Sequence, residues 1–146
     1  MEEKIKIEEL LKSGNTVQFH PQGISMYPLF VSPKDYAIVA PFEGKIKRGD
    51  VAVYRSAEGK LVIHRVVKVA KESIYCAGDR AKDVEPGVSF DEVYGIMTGF
   101  IRKGHKYSVT NPLYVFSTKL WLFLRPFRHF LFKCGHILKK ICGISQ

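Results

Sequence analysis

The apolar positions of this chain change their period near residue 111. Before that point, short runs rich in Val, Ile, Tyr and Phe are separated by turn residues; after it, apolar residues recur at steps of three and four. The first texture predicts strands over residues 17–20, 36–41, 51–55, 60–69, 73–76, 93–101 and 106–109, because β-branched and aromatic runs suit a pleated, half-buried surface. The breakers between them are Ser32-Pro33-Lys34-Asp35, Gly44, Arg48-Gly49-Asp50, Glu58-Gly59, Gly78-Asp79, Glu85-Pro86-Gly87 and Lys103-Gly104. Residues 3–12 read as a short amphipathic helix stopped by Ser13-Gly14-Asn15. The expected fold is mainly β, a compact antiparallel domain or partly open barrel over residues 1–110. A helical tail over 111–146 is expected to follow it.

In the tail, Leu113, Phe116, Leu120, Phe123, Leu124, Phe127, Leu131, Cys134, Leu138 and Ile141 share one face of a helical wheel. Lys119, Arg125, His129, Lys133, His136, Lys139 and Lys140 fall on the other side, to which Trp121, Leu122 and Phe132 stray. Pro126 is expected to kink this helix or to begin a second one at its first turn. A bulky apolar face opposite a basic one is the pattern of a helix lying in a membrane interface. The alternative is a helix that packs on the β domain or pairs with another copy.

Charge sharpens that picture. Of the 23 Lys and Arg, nine lie after residue 92, whereas none of the 14 Asp and Glu do, so the net +9 belongs to the last third of the chain. Such asymmetry points to a polyanionic partner. Aromatics interleaved with cations can bind single-stranded nucleic acid, but a continuous apolar face suits lipid better. A membrane surface is therefore the expected partner and the expected location, with no nucleic acid. No run of 18 uncharged apolar residues is present, so no conventional spanning helix is expected, and the first six residues lack the apolar run of a signal peptide.

A chain of 146 residues is the size of one domain and buries roughly 68–70% of its unfolded surface, enough for a core without staples. Cys76, Cys134 and Cys142 form neither a disulfide framework nor a zinc motif. No metal or cofactor is expected.

The chemistry concentrates in two places. In Gly23-Ile24-Ser25-Met26-Tyr27-Pro28 a serine sits on a turning, stiffened backbone that can hold its hydroxyl outward, and its N–H could face an oxyanion. The alternative is a turn serine bonded to its own backbone. A free hydroxyl is a poor nucleophile and needs an adjacent base. His64 lies 39 residues further on, in Leu61-Val62-Ile63-His64-Arg65-Val66-Val67, and imidazole titrates in the useful range. The alternative for it is a core histidine with a satisfied ring. Arg65 cannot lose its proton at neutral pH, and Lys68 would have to be buried to do so. A third group should orient the imidazole, and Gly78-Asp79-Arg80-Ala81-Lys82-Asp83 offers Asp79 and Asp83. Either could instead cap its turn. Asp35 and Asp50, each in a turn before a strand, read as structural.

In order, Gly23-x-Ser25-Met26-x-Pro28-Leu29, Asp35, Gly49-Asp50-Val51, Ile63-His64-Arg65-Val66, Gly78-Asp79, Gly95 and Ile101-Arg102 resemble the type I signal peptidases and their self-cleaving-repressor relatives over roughly residues 15–104. With His64 where the bacterial enzymes carry lysine, the chain looks like the Ser-His type of archaea and the endoplasmic reticulum. The resemblance implies a β-rich serine endopeptidase with Ser25 as nucleophile, His64 as base and an aspartate from the 79–83 turn. Its substrate would be an extended precursor peptide with small residues near the cut, added as a strand to a sheet edge. The chain departs from the pattern at Gly23, two before the serine; at Arg80-Ala81, where asparagines are usual; and in the later acid, which falls at Asp83 or Glu85. These departures leave an alternative: a catalytically inactive peptidase-like module that binds a peptide or a membrane.

Overall fold

Strand β3 (Val51–Arg55) is buried on both faces, and the sheet is organised around it. In the computed structural model, Val51 and Val53 join one apolar cluster while Ala52 and Tyr54 join another on the opposite face. A strand covered on both sides needs no polar alternation, which explains its Val-Ala-Val-Tyr run. The structure describes residues 6–127, apart from 22, 24, 28, 31–33 and 82, together with residue 137.

The chain runs through α1 (Ile7–Lys12), β1 (Val17–Phe19), β2 (Tyr36–Pro41), β3, β4 (Leu61–Val69), β5 (Ser73–Ala77), β6 (Val88–Ser89), a 3₁₀ turn (Phe90–Glu92), β7 (Val93–Arg102), β8 (His105–Ser108), α2 (Pro112–Leu124) and a second 3₁₀ turn (Arg125–Phe127). All strand pairs are antiparallel, in the order β1-β2-β7-β3-β4-β5-β6, with β8 on β7. The sheet curls into a half-barrel, so the fold is mainly β with a short N-terminal helix and a C-terminal one. β7 lies between β2 and β3 over its first half and between β2 and β8 over its second. Gly95 permits the first half: a Cβ there would come 2.6 Å from Val39 Cγ1 and 2.7 Å from the Ala40 carbonyl. Two-residue β6 and its 3₁₀ turn escape the apolar pattern because each is too short to show a period.

One cluster holds Leu11, Met26, Phe30, Val39, Val53 and Ile63, with Ile7 and Leu10 of α1 packed against it. The other, with Tyr54, Val66, Ile74, Cys76 and Val88, lies behind β3 and β5. Side-chain bonds pin the loops. Arg102 donates to Asp35 at 3.0 Å and to the Leu29 carbonyl, tying the segment after Ser25 to the end of β7. Asp50 accepts from the Lys47 N–H at 2.9 Å, a turn role.

α2 begins at Asn111, whose side chain accepts from the Leu113 N–H, with Pro112 in the first turn. It has two apolar faces rather than one. Leu122, which the wheel assigned to the basic side, is buried against the β domain, while Leu113, Phe116, Leu120, Phe123 and Phe127 are exposed. Of the expected continuation, only residue 137 lies among the described residues. No described helix is long and apolar enough to cross a membrane.

Candidate active site

Ser25 follows β1 at the head of a turn in which the Phe30 N–H donates to the Met26 carbonyl at 3.0 Å. Met26 and Phe30 are buried, so the turn is anchored by its own apolar side chains. Gly23 adopts φ +81°, a left-handed conformation open to glycine at little cost. From the other side, the Ser25 carbonyl accepts from the Arg80 N–H at 2.9 Å. Gly78 packs so closely that a Cβ there would stand 2.5 Å from the Ser25 carbonyl oxygen. The Gly78-Asp79-Arg80 turn is therefore the backing of the serine, and its glycine is required by the approach.

His64 stands opposite Ala52 in the β3–β4 ladder, on the same face as Tyr54 one step along the diagonal. Its Nδ1 lies 2.6 Å from Glu85 Oε1 and 3.1 Å from the Tyr54 hydroxyl oxygen. Tyr54 donates to the other carboxylate oxygen of Glu85 at 2.6 Å, and the Glu85 N–H is held by the Cys76 carbonyl at 2.8 Å. With Tyr54 donating to Glu85, Nδ1 is assigned the proton it donates to that carboxylate, which leaves Nε2 with its lone pair. That is the tautomer a general base needs.

The carboxylate on His64 is thus Glu85 and neither of the expected aspartates. Asp79 is occupied elsewhere: its two oxygens receive Nε and Nη2 of Arg65 at 2.6 and 2.8 Å, and both side chains are buried. Asp83 is exposed. The loop gives the reason. The Ala81 N–H closes a turn on the Gly78 carbonyl, so Asp79 faces inward onto β4 at Arg65, and the chain returns to β5 only at Glu85. Burial alone pulls the Arg65 guanidinium down, but its bonds and attraction to Asp79 more than offset this and raise its pKa. Arg65 cannot serve as a base, and Lys68 lies over the Tyr75 ring.

Tyr54 is a site residue that sequence reasoning did not name, and Glu85 entered it only as an alternative position for the later acid of the family pattern. Both left a trace. The Glu58-Gly59 turn fixes the β3–β4 register and with it the Tyr54–His64 diagonal, and Glu85 closes the same loop as the two aspartates.

Ser25 and His64 line one cavity of ≈ 640 Å³. α1 and the residue before it supply Lys6, Ile7 and Glu8; the end of β1 and the segment leaving it supply Phe19, His20 and Pro21; β3 and β4 supply Val53, Arg55 and Leu61–His64. The lining mixes apolar side chains such as Phe19, Val53 and Ile63 with charged ones, of which Glu8 and Arg55 are ion-paired. His20 is tied to the Asp35 carbonyl at 3.0 Å, and its ring packs at a tilt against Tyr36. Among the described residues, no hydrogen bond joins the Ser25 hydroxyl to His64. Comparison of the chain with family models, with curated proteins and with solved structures finds no match.

The network behind His64 also raises two proton affinities. Burial and the negative charge of Glu85 nearby push the Cys76 thiol up to about 12, against a bond from Tyr54 that acts to lower it. Burial and the bond to Glu85 raise the Tyr54 phenol as well. Both groups bind their protons more tightly folded than unfolded, so the unfolded chain holds fewer protons at high pH and stability falls as pH rises. The thiol stabilises the fold fully below its ordinary value near 9, and this contribution is lost on the way to about 12. Urea midpoints measured across that window should fall steadily, and Cys76 should escape iodoacetamide in native protein at pH 8. Rapid alkylation mapped to Cys76 by mass spectrometry would refute this assignment.

Proposed function

We propose that this chain is a serine endopeptidase of signal-peptidase type that removes leader segments from precursor peptides at a membrane surface. The observation that carries the reading is one cavity lined by both a backed-up serine and a histidine whose Nδ1 is held by a carboxylate at 2.6 Å. An extended peptide enters the groove beside β1, an edge strand whose outer side has no neighbour among the described strands. His64 Nε2 takes the Ser25 proton as the hydroxyl attacks the scissile carbonyl. The Ser25 N–H donates to the oxyanion, and the imidazolium then protonates the leaving amine. Water repeats the sequence to release the acyl group. Glu85 holds the tautomer and supports the transient positive charge, and Tyr54 fixes Glu85.

Resting catalytic hydrogen bonds are often long and tighten only with substrate bound, so the unjoined Ser25–His64 pair is compatible with this chemistry. It also favours a second reading, a peptide-holding module without turnover. A peptide boronate separates the two, because a competent site forms a boron–oxygen adduct at Ser25 that is visible by intact mass and absent in Ser25→Ala. An unmodified wild-type protein that nevertheless binds precursor peptide would support the module.

Within the peptidase reading, Glu85→Gln should lower kcat by about 10²–10⁴-fold, since an amide can hold the wrong tautomer and carries no charge. Asp83→Asn should change it by less than about two-fold, the usual effect of an exposed turn substitution. Steady-state kinetics on one precursor peptide checks both, and equal effects would remove Glu85 from the mechanism.

A further inference from the structure

We propose that α2 is a positioning element for Ser25, set in place by an anionic bilayer on its outer face. The inference rests on Ser25 being the nucleophile, and it deepens that reading by assigning the site a regulator. The inner face of α2 meets the β domain at Gly49, where a Cβ would come 3.2 Å from Thr118 Cγ2 and 3.5 Å from Leu122 Cδ1. Arg65 Nη1 lies in the same seam and donates to the Gly49 carbonyl at 3.0 Å, Thr118 Oγ1 at 3.3 Å and the Tyr114 hydroxyl at 3.5 Å. The remaining prongs of the guanidinium fork on Asp79, in the turn whose Arg80 N–H and Gly78 Cα hold Ser25. One buried cation therefore has α2 on one side and the backing of the serine on the other.

The outer face carries Leu113, Phe116, Leu120 and Phe123, and the 3₁₀ turn that follows adds Phe127, all between 44% and 79% exposed. Exposed large apolar groups in one stripe mark a binding surface. Its occupant is chosen by charge. No acidic residue follows Glu92, and Lys119, Arg125 and the cations of the sequence beyond it are all of one sign. A second copy would bring like charges together, whereas an anionic bilayer attracts them and takes up the apolar side chains. A thirteen-residue helix is marginal alone. Lipid on the stripe favours the helical form, and that form turns Tyr114 and Thr118 back onto Arg65 and Leu122 back onto Gly49. A ligand shifts an equilibrium only through such a difference between states.

The test uses the full chain with vesicles of phosphatidylglycerol and phosphatidylcholine, and with phosphatidylcholine alone. Trp121, the only tryptophan, reports binding by fluorescence. Hydrogen exchange at the Arg80 amide reports the serine's backing, and cleavage of a precursor peptide reports catalysis. The anionic vesicles should shift Trp121, slow exchange at Arg80 about ten-fold and raise kcat about ten-fold with KM little changed, the size of an ordinary coupling. Phe116→Ser/Phe123→Ser should abolish all three effects. Tyr114→Phe/Thr118→Val should keep the Trp121 shift and lose the other two, and Thr118→Ser should retain them. Should the double variant not fold, Thr118→Val alone serves as the uncoupled form. Wild-type binding with unchanged Arg80 exchange, or full slowing in the uncoupled variant, would overturn the proposal. So would a dimer, broken by Phe116→Ser/Phe123→Ser, in a protein that ignores vesicles. Slowed exchange without cleavage under any condition would overturn the peptidase reading alone.

Discussion

Ser25→Ala and His64→Ala should each reduce kcat/KM on a precursor peptide by about 10⁴-fold or more, because in the proposed mechanism nucleophile and base act as a unit and either loss stops the covalent route. Combining them should add little to either single effect, the non-additivity expected of partners in one step. Ser25 is held by the Arg80 N–H through its backbone carbonyl, which survives in the alanine variant. The fold and vesicle binding should therefore be unchanged by far-UV spectra and Trp121 fluorescence. His64→Ala leaves Glu85 bonded to Tyr54 and to the Cys76 carbonyl, so the loop keeps its anchor. Full activity in the Ser25 variant, measured with protein free of contaminating protease, would end the proposed mechanism.

Asp79→Ala should destabilise the protein by about 3–5 kcal/mol, because it strands a buried guanidinium. Arg65 is buried and, among the described residues, keeps neutral acceptors once the carboxylate is gone: Gly49, Thr118 and Tyr114. For a domain of this size, that corresponds to a fall in Tm of roughly 10 °C. Removing both charges has a different effect. Arg65→Met/Asp79→Leu should lie within about 1 kcal/mol of wild type or above it, because a desolvated pair contributes little net stability over apolar groups of similar volume. Urea unfolding of the two variants makes the comparison. An equal loss in both would show that packing, rather than the stranded charge, governs this seam. If the pair serves position rather than stability, the double variant should fold well and still lose the vesicle response.

Most strands were readable along the chain. Val51-Ala52-Val53-Tyr54 and Leu61-Val62-Ile63-His64-Arg65-Val66-Val67 are too apolar and too β-branched to be loops, and Glu58-Gly59 turns one into the other. Placing Ser25 on a turn was equally local, since Gly23 sits at φ +81° as the serine's neighbourhood required. The third member of the site was a harder matter. Asp79, Asp83 and Glu85 lie within one loop, and which of them reaches a given strand depends on a turn closing at Ala81 and on where the chain meets β5 again. A small change in where that loop closes would exchange the carboxylate on the imidazole for one on a guanidinium.

The tail shows the same division. Its period declared a helix and an outer apolar stripe, and the charge count declared a cationic segment. A wheel treats every apolar residue as belonging to one face, however, and so it counted Leu122 as misplaced. Seated against Gly49, Leu122, Tyr114 and Thr118 form a second face.

Alone, the chain's residues determined what depends on near neighbours: strands, turns, the helix and the local settings of the two candidate side chains, Ser25 and His64. Tertiary structure decided the pairings, namely Glu85 with His64, Asp79 with Arg65 and α2 with Arg65 and Gly49. The physical reason is range. Propensity and period act over a few residues, whereas a hydrogen bond or ion pair across the fold is chosen by which side chains the closed sheet brings within about 3 Å.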